Sequence, residues 1–362
     1  MRPSTVRALT SVAAVATALV ICFAVVALMR GSLSTAAQAF GALAAGAFGD
    51  FPRFVDTGDW GGLLRPWGES TSKGSLLLLT GLSVAVAFRV GLFNIGAQGQ
   101  MMVGAFAAAV AGSRLSLPSV LHVPALWVCA GLAGAGFALV PALLKTRRGV
   151  HEVISTIMFN WLAVALVENW LVVGPFKARA EGDHSMSGTD EIAQTAQLPR
   201  LLGDVSRLHL GFVAALCCMV ALWFYFTRFH AGFAWRAVGA SQSVAHASGI
   251  DVARVQRNAM LLSGALAGLA GAVLVMGTEY KYPATLGAPY GFDGIAMALL
   301  GQGHPFGVGA SALFFGALRA GGTRMQLFGV HKSFPELIQG LALLLVAANY
   351  AWERLFSKWR RL

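Results

Sequence analysis

The sequence predicts an all-α, polytopic membrane protein of about ten transmembrane helices, forming one transmembrane domain over residues 1–362. Three observations predict it. Only 12% of the 362 residues are charged and 56% are hydrophobic, whereas a soluble domain carries about 25% charged residues. Apolar runs at 8–29, 123–144, 209–227, 258–278 and 334–351, with Glu336 the one charged residue among them, are long enough to cross roughly 30 Å of hydrocarbon. Basic residues gather in alternate connecting segments, the pattern that orients membrane helices with their positive loops inside.

The first pass, 8–29, follows Arg2 and Arg7. Ala37-Gln38-Ala39 reads like a signal-cleavage triplet. The apolar run before it exceeds the roughly 7–15 residues of a signal peptide, and the triplet lies well past its end, so an uncleaved helix is expected. Residues 30–74 read as a long, polar outer loop. The second and third passes, 75–90 and 99–117, flank the glycine-rich break "FRVGLFNIGAQGQ". At 1.5 Å per residue the apolar part of the second, 75–88, rises only about 21 Å, too little to span alone. The fourth and fifth passes are 122–144 and 152–173, and 174–208 is a second outer loop. The sixth, 209–228, leads into a basic inner loop at 229–257. There Ser241 to Ser248 has helix-compatible composition and stops at Gly249, which suits a helix end.

The seventh pass is 258–278. The eighth and ninth, 290–302 and 305–320, flank a second break, "GQGHPFG", and the tenth is 334–351. With the amino terminus inside, the inner basic residues are Arg2, Arg7, Arg89, Lys145, Arg147, Arg148, Arg228, Arg236, Arg254, Arg257, Arg354, Lys358, Arg360 and Arg361. The inner acids are Glu152, Asp251 and Glu353. Both termini are therefore expected in the cytoplasm. The net charge of +11 reports this topology and gives no reason to expect nucleic acid as a partner. Residues 75–173 and 258–351 read as two four-helix blocks of opposite orientation, an inverted repeat. Short, glycine-interrupted segments in two such halves point to a transport path. Cys22, Cys129, Cys217 and Cys218 all fall inside apolar runs and read as packing residues, with no metal or disulfide framework.

The chain carries no GxxxxGK[ST] phosphate loop and no GxSxG elbow, so neither ATP binding nor nucleophilic catalysis is expected of it. "HEVIS" at 151–155 starts like a zinc-protease helix but has Ser155 where the second histidine ligand belongs. Glu168 is the one acid well inside a predicted pass. Ion-coupled transporters keep coordinating carboxylates in the membrane, so a subunit outside this chain is expected to supply the energy. A stand-alone ion-coupled secondary transporter, with Glu168 as its coupling residue, is the alternative.

Asn94 and Gln98 sit four apart, on one face of a continuing helix, with donors and acceptors suited to sugar hydroxyls or base edges. The same amides could cap the half-helix ends. Phe93 could stack on a base or pack. Asn160 and Trp161 lie mid-way along the fifth pass, where Asn160 could meet substrate or a neighbouring helix. Glu168, Asn169 and Trp170 read as an interfacial anchor. His304-Pro305 reads as a turn between half-helices. Gly264, Gly268 and Gly271 recur at near-helical spacing, which suits close helix packing.

Five stretches, "FNIGAQGQ", "HEVISTIMFNW", "RAVGASQSVAHASGI", "LSGALAGLAGA" and "YPATLGAPYGFDGIAMALLGQGHPFGV", carry a resemblance. In order and spacing, from about residue 75 to 350, the chain resembles the permease subunits of bacterial ABC importers for nucleosides and simple sugars, within the wider ribose and branched-chain amino acid permease group. The resemblance implies a second permease, homologous or identical, and ATP-binding cassette subunits beneath that hold the ATP, so that no cofactor binds here. It also implies a substrate-binding lipoprotein or receptor outside and a place in the lipid of the cytoplasmic membrane. The loop containing Arg236, Ala240, His246, Gly249 and Ile250 resembles the segment that couples such permeases to their ATPase. The chain departs from the family pattern at two places. Gln98 stands where glutamate is usual, and Ser241-Gln242-Ser243 replaces a Glu-Asn-Pro-type turn.

Overall fold

A computed structural model describes residues 3–178, 188–287 and 289–359. The helices in order are α1 (Pro3–Arg30), α2 (Leu33–Phe48), α3 (Phe51–Thr57), α4 (Trp60–Phe88), α5 (Ala97–Arg114), α6 (Ser119–Arg148), α7 (Glu152–Ala163), α8 (Leu210–Arg228), α9 (His230–Ala240), α10 (Gln242–Ala247), α11 (Val252–Leu274), α12 (Tyr290–Leu300), α13 (Pro305–Met325) and α14 (Phe334–Trp359). α7 runs on as a π-helix over Val164–Val172, and α11 over Val275–Glu279. Among the described residues there is no extended strand, only isolated bridges such as Gly188 to Pro283.

Side-chain caps start several of these helices. Ser32 accepts from the Thr35 N–H, Asp59 from Gly61, Ser241 from Val244 and Asp251 from Arg254, each satisfying a backbone donor that the first turn leaves free. Gly149 ends α6 with φ 68°, a left-handed geometry that glycine adopts without a Cβ penalty.

Helices occupy all ten predicted passes, and six of them are long and apolar enough to cross a membrane: α1, α4, α6, α7 with its π extension, α8, and α11 with its own. Burial sorts these six into two groups. The apolar windows of α4 and α11 are 83% and 78% buried, against 22–28% for the other four. α4 and α11 are therefore the core, and the rest present apolar faces to lipid or to a partner. α11 lies against α6, α5 and α4, while α4 lies against α13 and α12.

Small residues permit these crossings. A Cβ on Gly316 would stand 2.5 Å from Gly74 Cα, and one on Gly264 would stand 2.5 Å from the Gly134 carbonyl oxygen. A Cβ on Gly268 would collide with the Ala130 carbonyl, and one on Gly271 with the Met101 carbonyl. The spacing of Gly264, Gly268 and Gly271 is thus a packing seam between α11 and both α6 and α5, as expected of small residues in membrane bundles.

The structure corrects three sequence expectations. The short second pass at 75–90 is the end of a helix that begins at Trp60. Glu69, Ser70 and Lys73 look too polar for a span, but they turn to protein: Glu69 pairs with Arg207 at 3.1 Å, Ser70 donates to the Ala47 carbonyl and Lys73 to the Arg319 carbonyl. The supposed outer loop at 30–74 consequently holds α2, α3 and the first turns of α4, with α2 packed on α13 and α4. Finally, "GQGHPFG" is not an irregular break like "FRVGLFNIGAQGQ". It is a tight turn between α12 and α13, with positive φ at Gln302 and Gly303. The first break joins α4 to α5. A second irregular stretch, 280–287, follows the π turn of α11 on the way to α12.

Candidate functional site

Residues 89–96 leave the end of α4 and fold back into the bundle before α5 begins. A non-helical backbone at that depth must find partners inside the protein, and here polar side chains supply them. Asn94 has no exposed surface. Its Nδ2 donates to Gln100 Oε1 at 2.8 Å and to Ser263 Oγ at 2.7 Å, while its Oδ1 accepts from the Gly96 N–H and from Gln100 Nε2. Ser263 in turn donates to the Ser83 carbonyl, so the loop is tied to both core helices. From the other side α7 takes hold. Asn160 Oδ1 accepts from the Gly99 N–H at 2.8 Å and its Nδ2 donates to the Ile95 carbonyl at 2.9 Å. Thr156 Oγ1 accepts from the Ile95 N–H and donates to the Glu152 carbonyl. Gln98 Oε1 accepts from the Gly291 N–H at 2.7 Å, satisfying a donor in the first turn of α12.

The second irregular stretch is held by the same helix. Tyr280, with φ 56°, terminates the π turn of α11. Glu168 Oε1 accepts from the Leu286 N–H at 2.7 Å and from the Tyr282 hydroxyl at 3.3 Å. Over eight residues a pure α-helix would turn Glu168 roughly 80° away from Asn160. The wider i→i+5 turns of Val164–Val172 rotate less per residue and let one helix grip both stretches. Glu168 is buried, which replaces the interfacial-anchor reading for this residue; Trp170 beside it is 62% exposed and fits that reading. Residues 188–198 lie over Tyr280–Pro283 and the end of α5, through hydrogen bonds from Thr189 to the Tyr282 carbonyl, Ile192 to Tyr280, Ala193 to Gly112 and Leu198 to Met276.

The sequence-predicted residues therefore divide. Asn94, Gln98 and Asn160 are buried with their hydrogen bonds directed at this chain's own backbone and side chains. Phe93 is 50% exposed, its ring tilted 56° against that of Phe88, and Trp161 is 68% exposed on the outward face of α7. The fold brings Asn94, Gln98 and Asn160 together around one loop and leaves Phe93 and Trp161 open. Of the residues in the 229–257 loop, Arg236, Ala240, His246 and Gly249 are exposed and Ile250 is half-buried. α10 turns only Ala245 inward and displays Gln242, Ser243, Val244 and His246. α9 seats against the first break: a Cβ on Gly239 would collide with the Arg89 carbonyl, Trp235 packs on Phe226, and the Arg89 guanidinium lies over the Phe226 ring at 5.2 Å.

Sequence reasoning missed Thr156, Gln100, Ser263, Ser83 and Tyr282 as holding residues. Gln100, Thr156, Ser263 and Tyr282 lie inside the quoted motifs, so the signal for them was present. Ser83 gave none, and its pairing with Ser263, 180 positions away, means nothing until α4 and α11 cross. Also missed was an ion cluster at the start of α12, whose first turn carries Asp293. Asp293 pairs with Arg319 at 2.8 Å, Arg319 with Glu336 at 3.0 Å, Gln339 donates to Asp293, and Arg319 lies 4.9 Å over the Tyr290 ring. These contacts fasten α12, α13 and α14 together with charges that lipid would reject singly.

A family model described as "Branched-chain amino acid transport system / permease component" matches residues 68–347. The chain is 38% identical over 301 residues to the guanosine ABC transporter permease protein NupP of Bacillus subtilis, covering 81% of this chain and 84% of that one. It is 32% identical over 288 residues to the glucose ABC transporter permease protein TsgB13 of Haloferax volcanii, covering 77% and 75%. To the nucleoside ABC transporter permease protein NupB of Lactococcus lactis subsp. cremoris it is 30% identical over 303 residues, covering 82% and 83%. No solved structure matches.

Proposed function

The chain belongs to the family of branched-chain amino acid transport system permease components, and from that membership we propose that it is the membrane subunit of an ATP-driven importer of nucleosides or related sugar-like solutes. The similarity to permeases named for guanosine, nucleosides and glucose supports the solute class. The observation that carries the coupling is the contact of α9 with the first irregular stretch through Gly239, Arg89, Phe226 and Trp235. A push on exposed α10 reaches the loop that Asn94 and Asn160 hold, without crossing lipid.

In this reading α10 is the coupling helix, with Arg236, Ala240, His246, Gly249 and Ile250 in the docking loop. ATP binds to the cassette subunits below, and a substrate-binding receptor delivers solute to the end covered by residues 188–198. A second permease, homologous or identical, completes the path. Phe93 and Trp161 face that path, while Asn94, Gln98 and Asn160 position its walls. α4–α7 and α11–α14 form inverted repeats with both termini cytoplasmic. Matching contacts support this: α4 packs on α13 as α11 packs on α6, and α12 on α4 as α5 on α11.

The test is uptake of labelled guanosine by membrane vesicles carrying this chain with its cassette, receptor and partner permease. Uptake against a gradient is expected only with ATP and is expected to persist in Glu168→Gln, whose amide oxygen still accepts from the Leu286 N–H. Accumulation driven by a proton or sodium gradient alone, and lost in Glu168→Gln, would overturn the proposal in favour of ion coupling.

A further inference from the structure

We infer that the cleft where α4 ends beside α12 and α14 is a binding site for an anionic phospholipid, whose phosphate pairs with Arg89 and whose acyl chain lies along α14. Arg89 follows the last residue of α4, and its Nε is buried with no hydrogen-bond partner. Its side chain makes no ion pair with a carboxylate among the described residues. What it touches is the Phe226 ring, and the nearby Arg236 adds charge of the same sign. A half-buried guanidinium without an anion is costly. The carbonyls at the end of α4 favour a cation only weakly, and they give Nε no acceptor.

Arg89 lines a cleft of about 510 Å³ whose other walls are mostly apolar, with Ala85 and Phe88 from α4, Leu299 from α12, and Leu343 and Val346 from α14; the one other polar side chain lining it is Gln302, whose Nε2 donates to Ser11. Charge and shape together select the occupant. A phosphodiester accepts two parallel hydrogen bonds from a guanidinium, and its attached hydrocarbon suits walls of leucine, valine and phenylalanine. A carboxylate on a soluble subunit would bring no apolar tail, and α9 already covers Arg89 from its other side through Gly239. A nucleoside is neutral and leaves the guanidinium unpaired. Leu299 is 38% exposed, so the cleft opens laterally, where lipid is the solvent. The lipid would come from the inner leaflet, a point that rests on the orientation proposed above. Binding itself does not depend on that orientation, because reconstituted bilayers present the same lipid on both sides.

The experiment is native mass spectrometry of the full importer after exchange into phosphatidylcholine, followed by titration with phosphatidylglycerol. Wild type is expected to retain phosphatidylglycerol, Arg89→Gln to bind it about tenfold more weakly, and Arg89→Lys to fall between, as a point charge without the planar fork. Arg228→Gln, an exposed cation at the end of α8, should leave retention unchanged. Leu343→Trp keeps Arg89 and fills the cleft, so retention should fall there too, which keeps the test decisive should Arg89→Gln fold poorly. Equal retention in wild type, Arg89→Gln and Leu343→Trp would overturn the site. So would equal competition by inorganic phosphate, which would make it a simple anion site. Loss of the cassette subunit from Arg89→Gln with phosphatidylglycerol retained would assign Arg89 to the partner and also overturn it.

Discussion

Asn160 and Trp161 are neighbours on α7 with opposite positions. Asn160 holds one N–H and one carbonyl of the buried segment 95–99, whereas the Trp161 side chain makes no hydrogen bond among the described residues and is 68% exposed. An unpaired buried polar group costs about 1–3 kcal/mol, so Asn160→Ala, which orphans two, should lower stability by roughly 2–5 kcal/mol. Asn160→Asp keeps the acceptor for Gly99 and should recover part of it. Trp161→Ala should leave stability within about 0.5 kcal/mol, as for surface changes, yet reduce guanosine uptake if it faces the path. Thermal denaturation in detergent beside vesicle uptake separates the two, and a Trp161→Ala protein that is stable and fully active would remove Trp161 from the path. From sequence the two residues could only be named together, because a polar amide in an apolar run reads alike whether it grips a ligand or a backbone. The holding role became visible only when residues 95–99 were seen folded against α7.

At the scale of helices, the passes with strong apolar periods were legible and those with polar faces were not. α6, α8 and α11 announce themselves because their neighbours in the chain are polar and their own residues are not. α4 hid its first half because Glu69 and Lys73 find protein partners, which a hydropathy window scores as solvent. The glycine seam on α11 was legible as spacing, and the structure gives it partners. Gly268→Ala would drive a methyl into the Ala130 carbonyl, and since both helices are long the clash cannot be relieved locally. Overpacking of this kind costs about 1–3 kcal/mol. Gly136 on α6 has nothing within 4 Å of its would-be Cβ, so Gly136→Ala should be neutral or slightly stabilising by helix propensity. The measurement is the difference in melting temperature between the two variants. Equal melting would show that α6 and α11 do not cross through Gly268.

For the whole molecule the question is how a chain with no phosphate loop responds to ATP bound elsewhere. On the proposed function, the bundle transmits from one end. Its core helices α4 and α11 carry the loop network through Ser83 and Ser263, α7 ties both irregular stretches together, and α9–α10 stands against the first of them. α10 itself contributes almost nothing to this chain's core, since Val244 is 64% exposed and Ala245 alone is buried. An exposed apolar residue on a capped, polar helix is a surface for a partner rather than for lipid. Val244→Asp places a charge there without touching any internal contact, so the melting temperature of the isolated permease should stay unchanged. If α10 seats in a cassette subunit, burying an unpaired carboxylate at that contact should cost several kcal/mol, and both co-purification of the cassette and ATP-driven uptake should fall together. Retained co-purification with lost uptake would place Val244 in transmission and not in docking. Retention of both would show that the cassette binds elsewhere, and would break the link drawn here between α10, Arg89 and the loop at Asn94.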